Sequence, residues 1–383
     1  MTQKRQKMLP VQGAEGVPDA EPEIRKDIGM KIKLAILERD ESYLGRIISV
    51  FSTKYADKFE IYSFTDPKAA MAALDPSKMD VFLVSDSFEI DVSALPSRCG
   101  FAYFVDSADV DMVNNQKAIC KFQKAELIYK QILSIYSEKA GSLFGLKSES
   151  GESARVILFD SVSGGAGASS MAAACALHFA AQQKRVLYLN LEKFGSADVF
   201  FSAEGQFNIS DVIYALKSRK ANLSLKLESC VKRDPRGVFF YSQSKLALDM
   251  LELNLEEMIR LISELKNSGD YDYVIVDADF GMDKNFLPVY RQVPAILWVG
   301  DGSDPSNAKI CRAYMALLTL ERNADLPLFN RISLVYNKFS NKTGKVIDEV
   351  GIRNIGGAPR YEHAGTSQIL AQLAMMDLFD KIE

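Results

Sequence analysis

Short apolar runs alternate with amphipathic stretches along the first third of the chain. Lys31 to Leu37 reads as a strand, and Glu41 to Tyr55 then sets Leu44, Ile47, Ile48 and Phe51 on one helical face. Phe59 to Phe64 predicts a second strand and Asp66 to Leu74 a short helix. Val81-Phe82-Leu83-Val84 is apolar on both faces, as a central parallel strand requires. Phe101 to Val105 and Ala118 to Phe122 predict two more strands, and Glu126 to Tyr136 a closing helix. Strand and helix alternate, which predicts a doubly wound α/β unit.

The pattern then breaks. Ser137 to Ser153 is dominated by small, polar and charged residues, a linker composition. A second α/β unit follows, with strands expected at Arg155–Phe159, Arg185–Leu191, Gly237–Tyr241, Tyr273–Val276, Ala295–Val299 and Ile332–Tyr336. Helices are expected at Ser169–Gln182, Leu255–Lys266 and Ser306–Leu320. The chain thus divides into an extension over 1–29, a domain over 30–138, a linker over 139–153 and a larger domain over 154–383. Lys, Gln, Gly, Pro and Glu fill the extension, which reads as disordered and has no apolar core of a secretory signal.

Composition narrows the function classes. With 48% hydrophobic and 25% charged residues and a net charge of −4, the chain reads as a soluble protein with no strong nucleic-acid signal. No apolar run is long enough to span a membrane. The 5 cysteines are scattered and only 2 histidines exist, so neither a disulfide framework nor a histidine-based metal site is indicated. Reduced cysteines and the cytoplasm are expected.

The chemistry concentrates at Ser163-Gly164-Gly165-Ala166-Gly167-Ala168-Ser169-Ser170, which lies between a strand and an alanine-rich helix. Glycines let a backbone turn tightly and aim several N–H groups at an anion, and the helix N-terminus adds partial positive charge. Ser169 or Ser170 is placed to cap the helix or to ligate Mg2+. The glycines alone also permit a dinucleotide reading, with Glu192 as the acid about 20 residues on. Tyr271 to Asp277 favours ATP, being an apolar strand that ends in a magnesium-holding aspartate.

The order of these pieces resembles the MinD/ParA family of deviant-Walker ATPases over about residues 153 to 375. Ser163 to Ser169 falls on the family's K-G-G-x-G-K-[ST] and Leu189-Asn190-Leu191-Glu192 on its D-x-D segment. Asn337 of Asn337-Lys338 takes the place of the adenine-recognising asparagine, and Ala358-Pro359 falls on the turn beside the base, followed by Arg360. The resemblance implies a P-loop fold with a mainly parallel sheet, ATP and Mg2+ as ligands, and Ser169 and Asp277 at the metal. It also exposes departures. Serine and alanine stand where the two lysines belong, at Ser163 and Ala168, and Asn190 replaces the acid that positions water. Each lost charge-assisted contact removes roughly 1.5–3 kcal/mol. Binding through backbone N–H groups survives such losses better than turnover does.

Residues 31 to 137 resemble a flavodoxin-like response-regulator receiver, but a degenerate one. Arg39 sits where an acid is expected and Ser85 at the acceptor position, with Asp86 one residue off, while Ser107 and Lys121 suit the remaining roles. A degenerate receiver followed by an atypical MinD/ParA-like domain is similar to the TadZ/CpaE arrangement. That likeness implies a homodimeric localisation factor, recruited to a cell pole with the assembly and secretion proteins of the Tad (type IVb/Flp) pilus. The alternative is an active ParA/MinD-type ATPase in DNA segregation or division-site placement. Two further stretches bear on this. Lys217 to Arg236 is rich in cations and suits either DNA phosphates or a solvated face. Thr366 to Glu383 has an apolar face of Leu370, Leu373, Leu378, Phe379 and Ile382, but its charges are mainly acidic. It is therefore expected to pack on its own domain rather than on an anionic membrane.

Overall fold

The computed structural model describes residues 31–139, 152–218, 222–281, 287–324 and 328–382. The extension over 1–29, nearly all of the linker, and Arg219 and Lys220 of the basic stretch lie outside the described residues.

The first domain runs β1 Ile32–Leu37, α1 Glu41–Lys54, β2 Phe59–Phe64, α2 Pro67–Leu74, β3 Val81–Ser85, β4 Gly100–Val105, β5 Met112–Val113, β6 Gln116–Cys120 and α3 Ala125–Lys139. Its sheet has the order β2-β1-β3-β4-β6-β5, parallel except for the β5–β6 hairpin at the edge. This is the flavodoxin-like doubly wound order. Local chemistry sets the helix starts. Asp40 caps α1 by accepting the Tyr43 N–H at 3.0 Å, and Asp66 caps α2 just ahead of Pro67. Only a single 3-10 turn, Val92–Ala94, lies between β3 and β4, and the hairpin stands where a helix would link β4 to β6. The last strand was expected two residues later than it falls, because the turn residue Asn115 and the half-polar start of β6 hide its beginning.

The second domain runs β7 Arg155–Asp160, α4 Ala168–Ala181, β8 Val186–Asn190, α5 Ala197–Phe200, α6 Ile209–Ser218, α7 Leu223–Cys230, β9 Lys232–Arg233, β10 Phe239–Phe240, α8 Leu248–Leu251 and α9 Leu255–Asn267. It continues with β11 Tyr273–Asp277, α10 Leu287–Gln292, β12 Ala295–Gly300, α11 Asp304–Ala324, β13 Ile332–Phe339, β14 Arg353–Pro359 and α12 Thr366–Ala374. The sheet order is β14-β13-β12-β7-β11-β8-β10-β9, and all pairs are parallel except β9 with β10. β7 lies at the centre with β12 and β11 beside it, all three apolar on both faces. The chain is therefore α/β, with two mainly parallel sheets. The strand β14 gives no sequence signal, since Arg353-Asn354-Ile355-Gly356-Gly357 has neither β-branched alternation nor an apolar run.

The C-terminal apolar face is buried. Leu370, Leu373, Leu378, Phe379 and Ile382 share one core cluster with the alanines of α4, and Asp380 pairs with His178 of α4 at 2.9 Å. No helix among the described residues is long and apolar enough to cross a membrane.

The two domains are joined through α3 and α7. Leu225 of α7 is buried within the core of the first domain rather than that of its own domain. Tyr129 donates its hydroxyl to Glu228, Lys58 pairs with Glu228 at 3.2 Å, and Lys226 donates to Ser134 Oγ at 2.8 Å. This corrects the reading of the basic stretch as a DNA contact or solvated face for Lys226 and Lys232 only, since Lys217, Arg233 and Arg236 are exposed. Lys226 and Lys232 are buried, Arg236 pairs with Asp234, and Lys217 pairs with Glu257. The α7 part of the stretch, with Leu225, Lys226 and Glu228, forms the internal interface.

Truncating the Leu225 plug removes apolar volume from the receiver's core although the residue belongs to the other domain. Leu225→Ala should cost about 2–5 kcal/mol. Hydrogen exchange should show the loss in β1 and β3, with β7 and β11 protected as before.

Candidate functional site

The loop after β7 is fixed from both sides. Ser161 Oγ donates to the carbonyls of Ser163 and Val299 at 2.8 and 2.6 Å, which ties the loop to the end of β12. Ser163 turns inward, with its Oγ 2.8 Å from Ser306 Oγ of α11 and only 8% of its surface exposed. Gly164 and Gly165 are exposed. Gly165 and Gly167 adopt left-handed backbones, with φ of +83° and +89°. A Cβ at Gly167 would lie 2.5 Å from Asn337 Nδ2, so a side chain is excluded there twice over. The helix begins at Ala168 with Gly167 as its cap and no side-chain capping bond, so neither Ser169 nor Ser170 is the cap. Both serines instead stand in the first turn, where N–H groups lack intrahelical acceptors.

Two residues at the end of β13 grip the loop's carbonyls. Asn337 Nδ2 donates to Ala166 O and Lys338 Nζ to Gly165 O, both at 2.9 Å. Asn337 is buried, and its amide holds the loop in shape. Lys338 is exposed and has a left-handed backbone, φ +56°. Pro359 is paired with Phe339 at the end of β14, so Pro359 and Arg360 stand exposed on the same edge as Lys338.

The acidic side of the site comes from β8 and β11, whose residues Asn190 and Asp277 are register partners. Asp277 is fully buried. Its Oδ2 accepts from Tyr188 OH at 2.6 Å and from Asn190 Nδ2 at 2.9 Å, while its Oδ1 is buried with no partner. Asn190 Nδ2 also donates to Glu192 Oε2 at 3.0 Å, and Ser169 Oγ donates to Glu192 Oε1 at 3.1 Å. Glu192 is thus the carboxylate that a reading centred on position 190 understates. Its signal was present, two residues on in the same segment. No lysine or arginine side chain pairs with Asp277 or Glu192 among the described residues, and Lys193 is exposed. Burial pushes the Asp277 carboxyl up to about 8, the charge of Glu192 adds to this, and the bonds from Tyr188 and Asn190 hold it back. Asp160, at the end of β7, is pushed up to about 7 by burial and held back by the Tyr290 hydroxyl.

These residues fit a phosphate chain with a divalent cation. The turned glycine backbone suits the anion, and the unpartnered buried oxygen of Asp277 together with Ser169 Oγ suits a hard cation. They do not supply a loop ammonium, because Ala168 and the inward Ser163 carry none.

The receiver pocket is closed on itself. Lys121 Nζ reaches Glu38 Oε2 at 3.2 Å and Asp106 Oδ1 at 2.7 Å. Glu38 Oε1 accepts the N–H groups of Arg39 and Asp40, and the Asp40 carboxylate is used as the α1 cap. Ser85 is buried against Ser87, Asp86 is exposed, and Arg39 lies over the Phe88 ring at 4.6 Å. Ser107 Oγ accepts the Asp109 N–H. No carboxylate occupies the strand-end acceptor position.

Asp160 and Asp277 have folded-state values above that of the unfolded chain, so the fold binds more protons than the unfolded state above about pH 4. Stability should therefore fall as pH rises from about 4 toward 8, by up to about 1.4 kcal/mol per pH unit for each group. Asp160→Asn keeps the Tyr290 bond. In urea denaturation it should match the parent at pH 4 and exceed it at pH 8.

Comparison with known proteins gives one family. Residues 30–137 match the family described as "TadZ-like, receiver domain". Among solved structures, the chain is similar to a ParA family ATPase from Chlorobium tepidum TLS at 21% identity, covering 60% of this chain and 96% of that one with a TM-score of 0.48. It is similar to the MinC:MinD cell division complex of Aquifex aeolicus at 20% identity, covering 58% and 94% with a TM-score of 0.44. MinD of Pyrococcus horikoshii OT3, complexed with Mg-ADP, matches at 15% identity over 58% and 94%, with a TM-score of 0.44. No curated protein sequence matches the chain. Residues 30–137 are therefore similar to a TadZ-like receiver domain, and a glycine-loop α/β domain with a mainly parallel sheet follows them in the chain.

Proposed function

We propose that this protein is an ATP-binding, homodimeric localisation or scaffold factor for Tad (type IVb/Flp) pilus assembly and secretion, with weak or absent ATP hydrolysis. Its place is the cytoplasm, recruited to a cell pole by other assembly proteins. One observation carries the reading: a glycine loop with left-handed Gly165 and Gly167 and an unpartnered buried Asp277 oxygen stand together with no lysine at Ser163 or Ala168. The receiver-family match supports the link to the Tad system.

In this reading the exposed Gly164–Gly165 backbone and the first turn of α4 bind the phosphates. Ser169 and Asp277 hold Mg2+, which when bound offsets phosphate charge. Lys338, which donates to the Gly165 carbonyl, and Arg360, exposed beyond Pro359, are the cations assigned to contribute, while Asn337 and Pro359 shape the base side. None of these residues stands at the old lysine position, so developing charge in the transition state is poorly stabilised. Asn190 hydrogen-bonds but does not take a proton from water as a carboxylate does.

A second reading, an active ParA/MinD-type ATPase, is favoured by one observation. Glu192 brings a carboxylate within 3.1 Å of Ser169 Oγ. Light scattering with and without Mg-ATP, alongside phosphate release, separates the two. A nucleotide-dependent dimer with negligible turnover supports the scaffold, whereas steady release abolished by Glu192→Gln supports the ATPase. No nucleotide binding at all overturns both.

Asp277 must lose its proton to meet a cation. Mg-ATP binding should therefore release protons near pH 7, and affinity should rise with pH until about 8. Calorimetry in buffers of different ionisation heat measures this. Asp277→Asn should abolish the proton release and weaken Mg2+-dependent binding tenfold or more.

A further inference from the structure

A cleft between the receiver and the loop domain contains a cavity of about 180 Å3. Lys130 and Gln131 of α3 form one wall, and Gln206, Phe207 and Lys232 form the other. Lys232 is only 7% exposed and forms no ion pair among the described residues. Its Nζ donates one hydrogen bond, to Gly205 O at 2.7 Å. An ammonium carries three N–H donors, so two remain for the cavity. A buried charge without a counter-charge is costly unless something in the site compensates it.

The surroundings are built around this ammonium. Gly205 has a φ of +128°, a backbone that favours glycine, and its carbonyl is turned to the Lys232 ammonium. Lys130 places a second cation on the opposite wall, bonded to the Val231 carbonyl and to Glu126 at 3.4 Å. Glu204, the acid lining the cavity, is paired with Lys124 at 3.0 Å. Burial pulls the Lys232 ammonium down from its ordinary value and Lys130 adds to this, against the more favourable fields of Asp198 and Asp211.

We propose that this interdomain cavity binds a small oxyanion of the size and charge of inorganic phosphate, held by Lys232 and Lys130 with the amides of Gln131 and Gln206, and that the bound anion ties the receiver to the loop domain. The site lies across the α3–α7 junction and is separate from the glycine loop. It does not depend on ATP binding there.

The test uses the full chain and two probes. Crystals soaked in selenate should show an anomalous peak within hydrogen-bond distance of Lys232 Nζ. Thermal melts in phosphate, against chloride at equal ionic strength, should show a stabilisation that Lys232→Met loses and Lys232→Arg retains. Phosphate affinity should fall at least tenfold in Lys232→Met, whose apolar stem preserves packing. Equal phosphate increments in the parent and Lys232→Met, or selenate peaks confined to other places, overturn the proposal. If Lys232→Met does not fold, the selenate map of the parent decides alone.

Discussion

At the end of β11 the Asp277 carboxyl is buried beside the carboxylate of Glu192, and among the described residues no cation pairs with either. Here the protein satisfies half of Asp277 with Tyr188 and Asn190 and leaves the other oxygen bare. Burial then favours the protonated form, since an ionised carboxylate taken out of water costs several kcal/mol. An amide at Asn190 has a physical reason here. An aspartate there would set a third negative charge against Asp277 and Glu192, whereas an amide donates to both.

The loop itself shows the same logic. Its carbonyls are held by Asn337 and Lys338, so its shape depends on the end of β13 and not on a bound anion. The cradle is preorganised, and less ordering is needed when a ligand arrives. Lys338 spends part of its donor capacity on the Gly165 carbonyl.

Much of this architecture is legible in the sequence, and the parts that are not share a cause. β1, β3, β7, β11 and β12 announce themselves as apolar runs because both faces of a central parallel strand are buried. β14 is invisible, since a glycine-rich edge strand is held by its ladder to β13 and not by side-chain pattern. In the site, Asp277 and the glycines are readable from spacing. The pairing of Glu192 with Ser169, and the inward turn of Ser163, follow from how α4, α11 and β8 converge. The cationic run after Lys217 misleads for a related reason. Composition counts charges but does not see that Ser134 and Glu138 of α3 come to meet Lys226.

That junction also bears on what the receiver does. A phosphorylation switch needs an acceptor carboxylate and a surface free to change partners. Here the strand-end position holds Ser85, and Lys121 is neutralised by Glu38 and Asp106. The face of α3 is already committed to α7, with Leu225 inside the receiver's core. Separating the domains would expose that leucine and leave the Lys226 ammonium without Ser134 and Glu138. Both costs oppose a swinging receiver. The domain is thus better suited to hold a fixed surface beside the loop domain than to relay a phosphoryl signal, and the loss of its chemistry and the gain of its junction are consistent with one another.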